Sequence, residues 1–252
     1  MSDLLYLVEN HVARLVINRP KKRNALSASA IHLMTEALDS AENDPNVRVI
    51  LITGAGDRAF CSGADLGNSF GDNNSFKPYA NLVKRIANCP KPTVARVNGY
   101  CLAGGMGVML GCDIVIARDD SQFGTPEVNV GIFPMMIGAL IFRNLHRKHA
   151  YEMTMLGERV NTEQALAWGM INHAVSAEQL DPKVDAICQS LAGKSPIGLK
   201  LGKQAFHAML EMSFEDGLDF LSEQLGEVLT TEDAAEGIQA FMEKRKPHFV
   251  GR

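Results

Sequence analysis

Short apolar runs that are typical of strands dominate the first half of the chain. Two of them flank Glu9 and Asn10, which predicts a β-hairpin at the edge of a sheet. The run that follows is apolar enough to be buried on both faces of a sheet. The predicted strands of this half cover residues 4–8, 11–18, 47–53, 93–97 and 113–118.

Helical spacing of apolar positions becomes the main pattern after about Met135. Before that point it predicts two helices, one capped by Ser27 and one over residues 79–87. The helices predicted after it cover residues 137–145, 149–156, 162–168, 177–191, 196–212, 214–229 and 231–244, with one short strand at 171–175. A strand-rich part followed by a helix-rich part indicates a core with an added helical layer.

Three connecting segments carry further expectations. A short helix is expected to begin at Gly63 and Ala64, with Asp65 in its first turn. Residues 67–77 are polar and contain glycine, which is typical of a mobile loop beside a binding site. Residues 122–134 are expected to form an irregular apolar connection.

A glycine-rich stretch at residues 98–107, NGYCLAGGMG, lies between two predicted strands. A helix is expected to begin near Gly104. Glycines at a helix start let another molecule approach free backbone N–H groups, to which the helix dipole adds partial positive charge. The stretch is therefore a candidate site for an oxyanion or a phosphate.

The composition of the 252 residues favours one core domain with an appendage. We expect a core over residues 1–195 and a helical region over 196–252. A net charge of −4 gives no general reason to bind nucleic acid or a membrane surface. Five cysteines without a Cys-x-x-Cys pair favour a reducing cytoplasm, and neither a secretion signal nor a transmembrane span is expected.

Other motifs indicate no cofactor site. Neither glycine cluster completes the Gly-x-Gly-x-x-Gly pattern of dinucleotide loops, so NAD binding is not expected. His146 and His149 are an isolated histidine pair, and we expect no metal. Two basic groups, residues 19–23 and 244–246, can be interpreted either as nucleic-acid patches or as solvated charge at a turn and a helix end.

A set of short motifs extends along nearly the whole chain. The segments are residues 18–26, 59–66, 91–99, 103–105, 112–113, 123–127, 236–237 and 241–246, with Gly131 and Gly157. Together they resemble the crotonase, or enoyl-CoA hydratase/isomerase, superfamily. The resemblance implies an α/β crotonase (ClpP/crotonase-like) fold, a spiral of ββα units with a C-terminal helical region that builds homotrimers, often paired into homohexamers. Coenzyme A would enter as part of the substrate, and no separate cofactor is implied.

The resemblance also implies site residues. The backbone N–H groups of Ala64 and Gly104 match the family's oxyanion hole, which holds the oxygen of an acyl-CoA thioester. The positions that match the family's CoA contacts are Arg23, Ala25, Asp65, Leu66, Phe241 and Lys244, of which Phe241 and Lys244 would reach the nucleotide moiety in a neighbouring subunit.

The acid–base residues distinguish reactions within the family. Its hydratases use two glutamates, and this chain matches one as Glu127 but has Gly107 at the other position. A single carboxylate suits isomerisation of a 3-enoyl to a 2-enoyl ester better than hydration, which needs an activated water as well as a proton donor. The family's hydrolases share the glycine but place an aspartate where this chain has Met135.

Two alternatives to isomerisation stay open at this point. One is hydration of 2-enoyl-CoA with Glu127 alone, and the other is a CoA-ester-binding or assembly subunit with little catalysis. Burial among apolar neighbours is expected to raise the pKa of the Glu127 carboxyl, which would improve it as a base. Those neighbours are Val128, Val130, Ile132, Phe133, Met135 and Met136.

Overall fold

Ten strands and ten α-helices make up the part of the chain that the computed structural model describes, residues 2–65 and 76–252. Two 3₁₀ helices cover Pro20–Lys22 and Pro126–Val130. The strands are β1 Leu4–Glu9, β2 Val12–Ile17, β3 Val49–Gly54, β4 Ala59–Cys61, β5 Thr93–Val97, β6 Tyr100–Leu102, β7 Ile114–Arg118, β8 Gln122–Gly124, β9 Val160–Asn161 and β10 His173–Val175. The helices are α1 Ala28–Asn43, α2 Lys77–Ala87, α3 Gly104–Leu110, α4 Met135–Asn144, α5 Arg147–Leu156, α6 Thr162–Ala167, α7 Ala177–Ala192, α8 Pro196–Met209, α9 Phe214–Leu229 and α10 Glu232–Met242.

Two sheets run side by side through the core. The first has the strand order β1-β2-β3-β5-β7-β10 and the second the order β4-β6-β8-β9. The chain steps from the first sheet to the second in each of the pairs β3–β4, β5–β6 and β7–β8, and helices α2, α3 and α4 follow these pairs in turn. This repeated ββα spiral with C-terminal helices confirms the predicted fold class.

Buried asparagine amides tie successive turns of the spiral together. The Nδ2 group of Asn98 donates to the carbonyls of Gly54 and Gly56 in the preceding turn. In the same way, Nδ2 of Asn24 donates to the carbonyl of Ala55 at 3.0 Å and to that of Ala59 at 2.7 Å. Turn carbonyls that would otherwise be buried without partners are thereby satisfied, which allows the layers to stack closely.

Helices cover both faces of the larger sheet. Leu180, Val184 and Cys188 of α7 pack against one face, where Val49 and Leu51 are buried. Helix α1 packs on the other side against β1 and β2, α2 packs on α1 and α3, and all three helices contribute to the larger apolar cluster. Burying one such side chain contributes roughly 2 kcal/mol to folding, which explains why residues 49–52 of the fully buried strand β3 are all apolar.

The structure confirms most of the predicted elements. The first two strands form the hairpin at the sheet edge. The Ser27 side chain caps α1 by accepting a hydrogen bond from the Ala30 N–H at 3.0 Å. The seven helices of the second half are all present, with ends that differ by a few residues. Within the described residues, none of the helices is long and apolar enough to cross a membrane.

Three expectations need correction or lie outside the described residues. Gly63 and Ala64 do not begin a helix, because Ala64 forms a parallel bridge with Leu26. Residues 122–134 are more regular than expected, since they contain β8 and a 3₁₀ helix, and β8 pairs with β9, which is too short to leave an alternating pattern. Of the expected loop at 67–77, residues 67–75 lie outside the described residues, and Lys77 already belongs to α2.

The C-terminal helices pack on one another and are joined to the chain end by one buried carboxylate. Helix α8 lies against α9, and α10 contacts both. Asp233, which is 1% exposed, accepts hydrogen bonds from the N–H groups of Val250 and Gly251 and from the Ser195 hydroxyl at 2.7 Å. Ser195 in turn caps α8. The division at residue 195 stays a prediction.

Replacing Asp233 with alanine is expected to destabilise the protein by about 3 kcal/mol, because the buried donors lose a charged acceptor. Urea unfolding followed by circular dichroism measures the change in the free energy of unfolding. The matched control is Asp219→Ala on the exposed face of α9, which should change that free energy by no more than about 0.5 kcal/mol. Equal effects of the two substitutions would contradict the assigned role of Asp233.

Candidate active site

Two backbone segments meet at the start of α3 because glycines allow them to approach closely. A Cβ on Gly105 would overlap the carbonyl oxygen of Cys61, so α3 packs directly on the backbone of β4. A Cβ on Gly63 would lie 2.7 Å from the Cβ of Ala103 and 3.3 Å from the nitrogen of Gly104. The segment that carries Ala64 is therefore a direct neighbour of the Gly104 N–H.

Both predicted oxyanion donors keep their N–H groups out of the local hydrogen-bond pattern. The bridge beside Ala64 uses the Gly63 carbonyl, which accepts from Leu26 N–H at 2.8 Å, and the Asp65 N–H, which donates to the Leu26 carbonyl at 2.9 Å. In an extended segment the N–H of the middle residue points to the opposite side. The Gly104 N–H lies in the first turn of α3, where no intrahelical acceptor exists. Among the described residues, neither N–H has an acceptor.

The turn that leads into α3 is held in an unusual conformation. Ala103 has a φ of 50°, which disfavours residues that carry a Cβ. Its N–H donates to the carbonyl of Gly124 at 2.9 Å, which ties this turn to the end of β8. Glu127 follows three residues later, so the same contact brings the helix start and the predicted acid/base into one region.

Three of the predicted CoA contacts lie beside Ala64. The carbonyl of Arg23 accepts from the Ser62 N–H at 3.1 Å. The guanidinium of Arg19 donates to the Ala25 carbonyl at 2.5 Å and to Oδ2 of Asp65 at 2.7 Å. Arg19 is only 15% exposed, so it is neither a nucleic-acid patch nor solvated charge. The sequence did not indicate that Arg19 joins these segments, because it is only one of several basic residues in the turn at 19–23.

Phe241 and Lys244, two further predicted CoA contacts, are not brought to this region in the single chain. Phe241 is 85% exposed on α10, which packs chiefly on α8 and α9. Lys244 follows this helix in a left-handed conformation, with a φ of 53°. Leu66 lies outside the described residues.

Glu127 lies in the 3₁₀ helix after β8, with one carboxylate oxygen shielded from solvent. That oxygen, Oε2, has no hydrogen-bond partner among the described residues. Burial raises the pKa of the Glu127 carboxyl above its ordinary value, and the hydrogen bond from its own backbone N–H opposes this shift. A carboxyl with a raised pKa is a stronger base once ionised.

The prediction that the apolar sequence neighbours of Glu127 bury its carboxyl is wrong. Of the apolar neighbours named from the sequence, only Val128 is half-buried. The other five are exposed to solvent in the single chain, because the segment after Glu127 lies on the surface: Val130, Ile132, Phe133, Met135 and Met136. The Glu127 charge also makes the smallest of the contributions that raise the pKa of Tyr79, which is raised chiefly by burial.

Tyr79 is the residue of this region that sequence analysis missed. It is 8% exposed, and its hydroxyl donates to the Gly104 carbonyl at 2.6 Å. The same hydroxyl lies against Gly107, the position without the second glutamate. In the sequence Tyr79 was only one apolar position of a predicted helix, so nothing there indicated its place beside the glycine stretch.

The cysteines and histidines supply no further chemistry here. All five cysteines are buried and free, and they pack as small hydrophobic residues. Burial raises the pKa of the Cys61 thiol to about 12, so the thiolate is disfavoured. His149 stacks on Trp168 with ring centroids 4.4 Å apart. Within the described residues, no group of three or more potential metal ligands occurs.

The sequence and the fold have counterparts among known proteins. The family model for enoyl-CoA hydratase/isomerase matches residues 8–252. The chain belongs to the enoyl-CoA hydratase/isomerase family. It is an enzyme of the crotonase type, as the resemblance in the sequence implied.

Individual family members agree over their full lengths. The carnitinyl-CoA dehydratase of Proteus mirabilis is 35% identical and covers 100% of both chains. The short-chain-enoyl-CoA hydratase of Clostridium acetobutylicum is 32% identical over 98% of this chain and 97% of its own. The crystal structure of an enoyl-CoA hydratase from Bacillus anthracis superimposes with a TM-score of 0.95 at 29% identity, covering 99% of this chain and 100% of that one. Two of these three enoyl-CoA hydratase/isomerase relatives carry hydratase names and one a dehydratase name.

The raised pKa of Glu127 predicts how Glu127→Gln changes stability with pH. Because the folded-state pKa lies above the ordinary value of 4.5, ionising this group costs folding free energy at neutral pH, and the cost is absent below pH 4.5. The variant is therefore expected to have an equal or higher Tm at pH 7.5, with an advantage that shrinks as the pH falls toward 4.5. Thermal unfolding scans of both proteins between pH 7.5 and 4.5 measure this difference in Tm. Glu223→Gln, at an exposed position of α9, should show no such trend, and a lower Tm for Glu127→Gln at pH 7.5 alone would contradict the assignment.

Proposed function

We propose that this protein isomerises 3-enoyl-CoA esters to 2-enoyl-CoA esters, with Glu127 as the single acid/base. The observation that carries the proposal is that only one of the two positions for an acid/base carboxylate holds a carboxylate in this chain. Glu127 is partly buried with a raised pKa, whereas the second position is Gly107, which is buried and has no side chain. Proton removal and return need one carboxylate, whereas hydration divides its work between two.

The proposed reaction balances with residues of this chain. The Glu127 carboxylate takes a proton from C2 of the 3-enoyl ester, and the electron pair moves onto the thioester oxygen. The N–H groups of Ala64 and Gly104 stabilise that negative charge, at about 3 kcal/mol of barrier for each donor. The protonated Glu127 then returns its proton to C4, while the enolate collapses to the conjugated 2-enoyl ester.

The test separates substrates and products. Purified protein is incubated with 3-enoyl-CoA and, separately, with 2-enoyl-CoA, and the products are resolved by chromatography. We expect 2-enoyl-CoA from the first incubation and little 3-hydroxyacyl-CoA from the second. Glu127→Gln should lower turnover at least a thousandfold while CoA-ester binding is retained, because the amide cannot accept the proton. Substantial residual turnover would refute the role of Glu127.

Hydration of 2-enoyl-CoA is the second candidate, because the Clostridium relative is named a hydratase. A 3-hydroxyacyl product without isomerised product would favour it. Binding of CoA esters without any turnover would favour a binding or assembly subunit instead.

The remaining parts of the proposal concern the ligand and the assembly. Arg23, Ala25, Asp65 and Leu66 would border the CoA, with no separate cofactor. Phe241 and Lys244 would reach the CoA nucleotide of a neighbouring subunit. Nucleic acid is not an expected partner, and a cytoplasmic location stays a prediction.

An exposed apolar stripe on α9 supports a homotrimer or homohexamer. Phe214, Leu218, Leu225 and Leu229 are between 54% and 77% exposed. Their spacings of four, seven and four place them on one face of the helix. A stripe of this kind is normally buried against another surface, and a second copy of the chain would also bring Phe241 to a site.

Charge introduced into the stripe should dissociate the assembly. We expect the wild-type protein to have the mass of three or six 27.4 kDa chains by light scattering. Leu218→Glu combined with Leu225→Glu should shift it toward a single chain and weaken CoA-ester binding, since burying two carboxylates is costly. The control Glu223→Gln, away from the stripe, should leave the mass unchanged. A monomeric wild-type protein would contradict the proposal.

A further inference from the structure

The absence of a carboxylate at position 107 has a structural cause in α2. A Cβ on Gly107 would overlap the hydroxyl oxygen of Tyr79, and it would lie 2.8 Å from Cγ2 of Ile137. Contacts below 3 Å to these atoms cannot be accommodated without a shift of the neighbouring side chain. The space that a larger side chain at this position would need is already filled by the phenol.

The phenol is held in place by its surroundings. Tyr79 is 8% exposed, and its hydroxyl donates to the Gly104 carbonyl in the first turn of α3. It remains a neutral donor, because burial raises its pKa well above the ordinary value. The residue thus contacts both the helix start that carries one predicted oxyanion donor and the position without the second glutamate.

We propose that Tyr79 is a specificity-determining residue. Its ring and hydroxyl fill the position from which a second carboxylate would activate water, and its hydrogen bond to Gly104 positions the start of α3. The site is thereby restricted to proton transfer by one carboxylate. This inference rests on the proposed role of Glu127, and it goes further by naming the side chain that excludes the competing hydration.

The contact itself is tested without any assay of activity. Gly107→Ala should destabilise the protein strongly when Tyr79 is present. In the Tyr79→Phe background the hydroxyl is gone and the nearest remaining ring atom is 3.4 Å from the new methyl group, so the penalty should be clearly smaller. The obstacle from Ile137 is the same in both backgrounds and cancels in the double-mutant cycle. Additive effects on the midpoint of urea unfolding would overturn the inference.

The effect on the reaction is tested with two further variants. Tyr79→Phe should lower kcat for isomerisation roughly five- to tenfold with little change in KM, because the Gly104 carbonyl loses a hydrogen bond while the ring volume remains. Tyr79→Ala combined with Gly107→Glu provides both the space and a second carboxylate. It should hydrate 2-enoyl-CoA at least tenfold faster than either the wild-type protein or Gly107→Glu alone.

A matched control separates this effect from a general loss of packing. Leu82→Ala opens a cavity on the same helix at a fully buried position and should leave the ratio of hydrated to isomerised product unchanged. The inference fails if that ratio is the same in the double variant as in the wild-type protein. If the wild-type protein yields no isomerised product, the proposed function fails instead, while the double-mutant cycle still decides whether Tyr79 occupies the space beside Gly107.

Discussion

The close approach of two backbones at the start of α3 is the constraint on which the candidate site depends. Gly105 has to lack a side chain because the Cys61 carbonyl occupies that space. Gly63 has to lack one because the Cβ of Ala103 and the nitrogen of Gly104 occupy the space beside it. The Asn98 amide and the Ala103 N–H then fix the adjoining turns. The segment that carries Ala64 and the N–H of Gly104 are direct neighbours because these contacts exist together.

In the proposed mechanism, backbone N–H groups stabilise the oxyanion and a side chain transfers the proton. Donors from the backbone need no side-chain ordering, so their geometry is set once the sheets have formed. The proposed acid/base function depends on the environment of one carboxylate, Glu127, whose pKa is raised by burial. Tyr79 adds a side-chain contact to the backbone part, since its hydroxyl donates to the Gly104 carbonyl.

Two surfaces of the single chain expose large apolar side chains to solvent. The segment after Glu127 and one face of α9 carry large apolar side chains in solvent, including Met135 and Phe214. Such surfaces are costly to leave exposed, and the first of them continues directly from Glu127 of the proposed site. Substrate contacts and subunit contacts are therefore expected to depend on one another in this family member.

The sequence by itself determined the strands of the larger sheet, the α-helices, the cap at Ser27, and the family, because these depend on local periodicity and on motifs. The short strands β4, β6, β8 and β9 of the second sheet were not among its predictions. It also predicts that Glu127 and Gly107 distinguish the reactions of the family. Only the tertiary structure decided that Ala64 pairs with Leu26 instead of starting a helix, that Arg19 joins Ala25 to Asp65, and that the phenol of Tyr79 fills the space beside Gly107. These are contacts between residues far apart in the chain, and no local pattern encodes them.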